Sequence, residues 1–172
     1  MLAYLFVIFA VLFRLVPHTM GFAPVVGALL FFGARMPRRQ MWVPIALLAG
    51  SDVLLTKFFY GYPFTPDHLA SWAFYAAALW LGTRLGTEAK ALRIGGAALA
   101  SSVAFFIVSN FAVWAVWNMY PKNWEGLMAC YVAAIPFFRN ALAGDLLFTA
   151  VMFSVPVFVD VLIGKGRASQ LQ

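Results

Sequence analysis

The chain of 172 residues is 64% hydrophobic and only 10% charged, with a mean hydropathy of +0.88, whereas a soluble domain usually carries about a quarter charged residues. This excludes an ordinary soluble globule, and six apolar spans of about 20 residues would use about 120, leaving no room for a second sizeable soluble domain. The formal charge of +6 comes from twelve Lys and Arg against six Asp and Glu; the basic residues stand in short runs between apolar segments and read as topology signals, not as a nucleic-acid surface.

In chain order, apolar stretches fall at about residues 2 to 16, 22 to 34, 41 to 57, 69 to 83, 94 to 117 and 143 to 163, with a shorter piece at about 127 to 138. The first stretch lacks a basic leader and a small-residue cleavage site, so it reads as a retained span. Three connections or ends are rich in base: Arg35, Arg38 and Arg39; Arg84, Lys90 and Arg93; Lys165 and Arg167. A cytoplasmic N-terminus places all eight on the cytoplasmic side, leaving Arg14, Lys57, Lys122 and Arg139 to be placed. The expected architecture is therefore one all-α transmembrane domain over residues 1–172 in a bacterial inner membrane, with six spans and both termini cytoplasmic. The piece at 127 to 138 makes only about 18 Å of helix, too little for a seventh span, so it is expected as a short extra helix in the outer loop between helices five and six.

Pro17, Gly21, Pro24, Pro37, Gly61, Pro63, Pro66, Pro121 and Pro136 lie at or near the expected ends and connections. Gly96 and Ala100, and Ala73 and Ala77, form small-xxx-small steps suited to close helix contact.

The unusual side chains collect in the outer connections, at 17 to 21, 58 to 68 and 118 to 140. The candidate solute-binding residues are His18, Tyr60, Tyr62, Asp67, His68, Asn110, Trp117, Tyr120, Trp124, Cys130, Tyr131, Arg139 and Asn140. A pocket that orients a ligand needs a few convergent polar groups among aromatic walls. The competing explanation is an interfacial aromatic belt, but a belt belongs at both interfaces, and the inner side has few aromatics besides Trp42 and Trp80. Stacking on Trp117, Tyr120, Trp124 and Tyr131 would hold a planar or aromatic solute, with Asn110, Arg139 and Asn140 orienting its polar edges.

Two carboxylates are expected to be buried. Asp52 lies inside span three, where a charge requires a partner, water or a proton. Lys57 is five residues away, off the one-turn spacing, so a partner from another helix is expected. Asp145 is expected in the first turn of span six, just after Arg139 and Asn140, where the helix dipole favours it. Cys130 is the lone cysteine, and neither it nor the two histidines has the spacing of a metal site. No hydrolase, protease, phosphate-loop or paired-acid motif is present, so a non-enzymatic role is expected and no cofactor is indicated.

The stretches FRLVPHTMGFAPVVGALLFFGARMPRR and WVPIALLAGSDVLL, and later SNFAVWAVWNMYPKNWEGLMACYVAAIPFFRNALAGDLLFTAVMF, carry a resemblance over more than half the chain. The protein resembles a bacterial family of small membrane proteins assigned to transport but of unknown function, itself regarded as similar to the substrate-capture (S) components of energy-coupling-factor (ECF) transporters. The resemblance implies six helices, cytoplasmic termini and an outward pocket built from the loops after spans one, three and five. It also implies capture of a vitamin- or cofactor-like solute, passed inward with a scaffold transmembrane subunit and cytoplasmic ATPases. Many S components carry an A-x-x-x-A docking step on the first helix; here Ala3 and Ala10 are separated by bulky residues. Some solitary S-type proteins that take up corrinoids use a cysteine as a ligand to cobalt, which directs attention to Cys130. The alternative role is a non-transporting accessory subunit of a larger membrane complex, with Phe105, Phe106 and Phe111 packed against other proteins.

Overall fold

The computed structural model describes residues 1–16, 21–61 and 63–169, with side chains through Val159 and at Val161. Among the described residues six α-helices follow one another: α1 (Leu2–Leu15), α2 (Val25–Arg35), α3 (Trp42–Leu54), α4 (Asp67–Leu85), α5 (Ala91–Val116) and α6 (Trp124–Ser169). A 3₁₀ turn (Arg38–Gln40) precedes α3, and a π-helical turn (Leu55–Tyr60) extends it. Among the described residues there is no strand.

Three segments, Arg38–Tyr60, Ala91–Val116 and Trp124–Val159, are long and apolar enough to cross a membrane. The helices α1 and α2 are apolar but have 14 and 11 residues, about 21 and 16 Å of rise against a hydrocarbon core of about 30 Å. The 19-residue α4 begins at Asp67 and His68 and ends near Arg84, so both of its ends are polar.

The centre of the bundle is α2, every residue of which from Val26 to Gly33 is buried. Tyr4 and Phe6 of α1 meet Phe32 and Phe31 edge-on, with ring centroids 5.2 and 4.9 Å apart. Phe31 also meets Phe153 of α6 at 5.2 Å. Among apolar helices in lipid such contacts act through van der Waals packing, because lipid tails are as apolar as the side chains. The closest helix approach is between α2 and α4: a Cβ on Gly33 would lie 2.2 Å from the Leu79 carbonyl oxygen, and one on Gly82 would lie 2.5 Å from that of Leu30. Glycine is required at both positions because backbone occupies the space a side chain would take.

The small-xxx-small steps expected from sequence are not the ones used. Ala73, Ala77, Gly96 and Ala100 are exposed, and nothing stands within 4 Å of a Cβ built on Gly96. Composition gives such a step its close-packing capacity, but helix orientation decides which face receives a neighbour. Ala3 and Ala10 are buried with Val7 on the inner face of α1.

The contacts Tyr4 to Phe32, Gly33 to Gly82 and Ser102 to Asp145 set successive helices in alternating directions. One end of the bundle therefore gathers Arg35, Arg38, Arg39, Arg84, Lys90 and Arg93, where Arg93 donates to the Arg84 carbonyl at 3.1 Å.

The separate extra helix expected at 127 to 138 is not present: it and the stretch at 143 to 163 form one continuous α6 of 46 residues, about 69 Å long. Pro136 lies inside this helix and does not end it. A proline removes one backbone donor and displaces the facing carbonyl, a cost that helices in membranes tolerate where neighbours, water or local adjustment satisfy the freed group. The start of α6 is well marked, since the Asn123 side chain accepts from the Gly126 N–H at 2.8 Å and Glu125 occupies the first turn. Asp145 consequently stands in the middle of α6, not in a first turn as expected, and has no helix dipole to favour it.

Candidate functional site

At the end of the bundle opposite the basic residues, the last turn of α1, the start of α2, the π turn, the start of α4 and the middles of α5 and α6 surround a cavity of about 790 Å³. Its size lies within the range of small-molecule sites. The π turn, in which each bond spans one residue more than in an α-helix, brings Leu55, Thr56, Phe59 and Tyr60 to the wall. Gly61 closes that turn with φ +67°, a left-handed conformation that a larger residue would adopt only under strain.

One wall is a polar network between α1, α3 and α4. The Arg14 guanidinium is ion-paired with Asp52, donates to the Ser51 hydroxyl at 2.9 Å and reaches the Tyr75 hydroxyl at 3.5 Å. Asp52 also accepts from the Trp72 indole N–H at 3.0 Å and the Tyr75 hydroxyl at 3.1 Å, while Ser51 donates to the Leu48 carbonyl at 2.7 Å. Asp52 is 7% exposed and Arg14 18%, so both charges are largely removed from solvent and each is compensated by the other. The inter-helical partner expected for Asp52 is thus Arg14.

A second group lies on the π turn and α4. His68 Nδ1 is 3.1 Å from the Thr65 carbonyl and Nε2 is 3.0 Å from the Thr56 hydroxyl. A carbonyl only accepts, so in the neutral imidazole Nδ1 carries the hydrogen and Nε2 accepts from Thr56. Phe64 stacks on the ring at 4.5 Å. The adjacent Asp67 carboxylate is 3.9 Å from His68, and its Oδ1 is buried without a hydrogen-bond partner. Across the cavity, Asp145 of α6 is 7% exposed and accepts from the Ser102 hydroxyl at 2.6 Å. Phe74, Phe105 and Trp117 complete the aromatic walls.

Of the candidate residues named from sequence, the cavity collects Tyr60, Asp67, His68 and Trp117, together with Asp52 and Asp145. His18 and Tyr62 lie outside the described residues, as do the side chains of Asp160, Lys165 and Arg167.

The remaining candidates belong to the far half of the α5–α6 hairpin and do not line the cavity. Asn110 donates to the Phe106 carbonyl at 2.7 Å, and buried Cys130 points its thiol at the Asn110 carbonyl, 3.6 Å away. Tyr131 donates to the Ile107 carbonyl at 2.7 Å, Trp124 is 71% exposed, and Tyr120, Arg139 and Asn140 sit on the hairpin. Near its tip Lys122 bonds the Trp114 and Trp117 carbonyls, satisfying the last turn of α5. Asn110, Cys130 and Tyr131 are thus engaged within the α5–α6 hairpin, and α6 continues unbroken through Pro136, so these candidates stand along the hairpin and not around the cavity. Among the described residues, no three of His, Cys, Asp and Glu converge as a metal-holding group.

Sequence reasoning missed Arg14, Trp72 and Tyr75. The available signal was one lone Arg and one lone Asp in otherwise apolar spans, since such charges usually pair with one another.

Fold and site together define an all-helical protein with apolar helices of membrane-crossing length around a partly polar cavity. The chain belongs to a family of unknown function (DUF6580), matched over residues 1–165. No curated protein and no solved structure matches it.

Proposed function

We propose that the protein is a multi-pass inner-membrane protein that captures a small, vitamin- or cofactor-like solute in the cavity for uptake, a binding and not a catalytic role. The observation that carries this reading is the convergence of aromatic side chains and fixed polar groups on one cavity of about 790 Å³ at a single end of the bundle. Walls of this kind bury a ligand's apolar faces while a few oriented groups select its polar edges. The proposed topology has six spans, with the cavity facing outward and the basic end, both termini included, in the cytoplasm. The short helices α1 and α2 are accommodated by local thinning or tilt. The resemblance to S components supports this arrangement and gives the proposed partners: an energy-coupling transmembrane subunit and cytoplasmic ATPases.

Thermal stabilisation across a vitamin and cofactor panel tests the reading, using wild type, Trp117→Ala in the cavity wall and Trp124→Ala on the hairpin. Stabilisation by at least one compound, lost in Trp117→Ala and kept in Trp124→Ala, is expected. No stabilisation by any compound would sink it. A second reading, an accessory subunit of a larger complex, draws on the exposed Met119, Trp124 and Val132 of the hairpin, at 68%, 71% and 63%. Stable association with an unrelated complex in mild detergent would favour it.

A further inference from the structure

We infer that the cavity selects a solute carrying a positive charge, an organic ammonium or amidinium on a planar or aromatic body. The inference rests on the capture reading above and concerns the same cavity.

The argument starts from the sign of the lining. Asp52, Asp67 and Asp145 face one guanidinium, that of Arg14, and no lysine among the described lining residues. Asp52 is taken by Arg14, which leaves two acidic side chains, Asp67 and Asp145, without a Lys or Arg partner among the described lining residues. Arg14 is not available to an incoming anion, because its guanidinium is already committed to Asp52, Ser51 and Tyr75. Arg139, the one arginine among the candidate solute-binding residues named from sequence, is exposed on the hairpin and stands outside the cavity.

The two remaining carboxylates are under-compensated in different ways. Asp67 opens α4, where the helix dipole favours an anion, yet its Oδ1 is buried and unpartnered, and the nearby His68 Nδ1 already bonds the Thr65 carbonyl. Asp145 stands in the middle of α6, has no dipole to favour it and is 93% buried; the one donor it meets among the described residues is the Ser102 hydroxyl. An ionisable side chain inside an apolar span ordinarily pairs with a counter-charge or marks a ligand path. A cation in the cavity would border Asp145 and the aromatic side chains of Tyr60, Phe74, Phe105 and Trp117, and aromatic rings attract cations through their faces, more strongly once water is excluded. An anion would find no uncommitted Lys or Arg side chain among the described lining residues.

The test is a set of matched aromatic triplets, each offered as amine, neutral methyl analogue and carboxylate, including tryptamine, 3-methylindole and indole-3-acetate. Thermal stabilisation and titration calorimetry are read on the full chain in detergent. The expected result is that stabilising compounds are amines, and that Asp145→Asn, which keeps the Ser102 hydrogen bond, weakens the best amine by at least about tenfold and leaves its neutral analogue unchanged. Should Asp145→Asn fail to fold, Asp67→Asn is read in the same way. Stabilisation mainly by carboxylates or neutral analogues, or equal amine affinity in the aspartate variants, overturns the charge assignment and leaves solute capture standing. Silence from every triplet, together with silence from the vitamin and cofactor panel, overturns capture itself.

Discussion

Replacing Asp52 should expose how much the Arg14 network contributes to holding α1, α3 and α4 together. The Asp52 carboxylate accepts from three side chains, Arg14, Trp72 and Tyr75, while 7% exposed. Removing one partner of a buried ion pair costs about 3 to 5 kcal/mol, because the other charge is stranded. Arg14 retains 18% exposure and borders the cavity, so water hydrates it in part and the lower end applies. Asp52→Asn should therefore cost about 3 kcal/mol. Asp52→Leu should cost about 5 kcal/mol, since the Trp72 and Tyr75 donors each lose an acceptor worth about 1 kcal/mol. In the double variant Arg14→Met, Asp52→Leu no charge is stranded, so about 3 kcal/mol should be recovered relative to Asp52→Leu alone. Reversible unfolding in mixed micelles, followed by tryptophan fluorescence, measures all three. An Asp52→Asn variant within about 0.5 kcal/mol of wild type, the range of an ordinary surface change, would refute the network's structural role. With Arg14→Met alone measured alongside, strict additivity of the two single substitutions in the double variant would refute it as well.

Three further outcomes follow from particular contacts. Gly33→Ala and Gly82→Ala should each destabilise by about 1 to 3 kcal/mol in the same unfolding measurement, because a Cβ at either position meets backbone oxygen of the facing helix, whereas Gly96→Ala should be neutral or slightly stabilising. Tyr131→Phe should cost about 1 kcal/mol by removing the bond to the Ile107 carbonyl, without changing solute affinity in calorimetry, since Tyr131 stands outside the cavity. In a Cys130→Ser background, single cysteines at Arg38 and Glu88 should react with a membrane-impermeant maleimide only from the cytoplasmic side of vesicles, and those at Gly61 and Asn123 only from the other; labelling of Gly61 and Glu88 from one side would contradict the proposed topology.

The helical character and the first five helices were legible because each apolar stretch is bounded by proline, glycine or charge. The stretches at 2 to 16 and 94 to 117 correspond to Leu2–Leu15 and Ala91–Val116. The sixth was misread because Pro136, Arg139 and Asn140 interrupt hydropathy without interrupting the helix. Hydropathy reports where a segment prefers to sit, while continuity depends on whether each freed backbone group finds a partner. The same misreading displaced the candidate site. Of the residues assigned to the outer connection from Tyr120 to Asn140, Cys130 and Tyr131 bond α5 instead, and none of the candidates there lines the cavity. Asp67, His68 and Trp117 were legible because they flank the expected outer connections. Arg14, Trp72 and Tyr75 were not, since their convergence on Asp52 arises from helix packing between residues up to 61 positions apart, which local spacing does not encode.

The central claim, that the cavity holds a small solute, is tested most directly by equilibrating the purified full chain with a whole-cell metabolite extract and weighing what it retains. Wild type is compared with Ser71→Trp, which places an indole in the cavity wall, and with Trp124→Ala on the exposed hairpin. The account predicts one small molecule retained at about one per chain by wild type and Trp124→Ala and lost by Ser71→Trp, with the three proteins equally stable. Retention of nothing by wild type, or equal retention by folded Ser71→Trp, would contradict it.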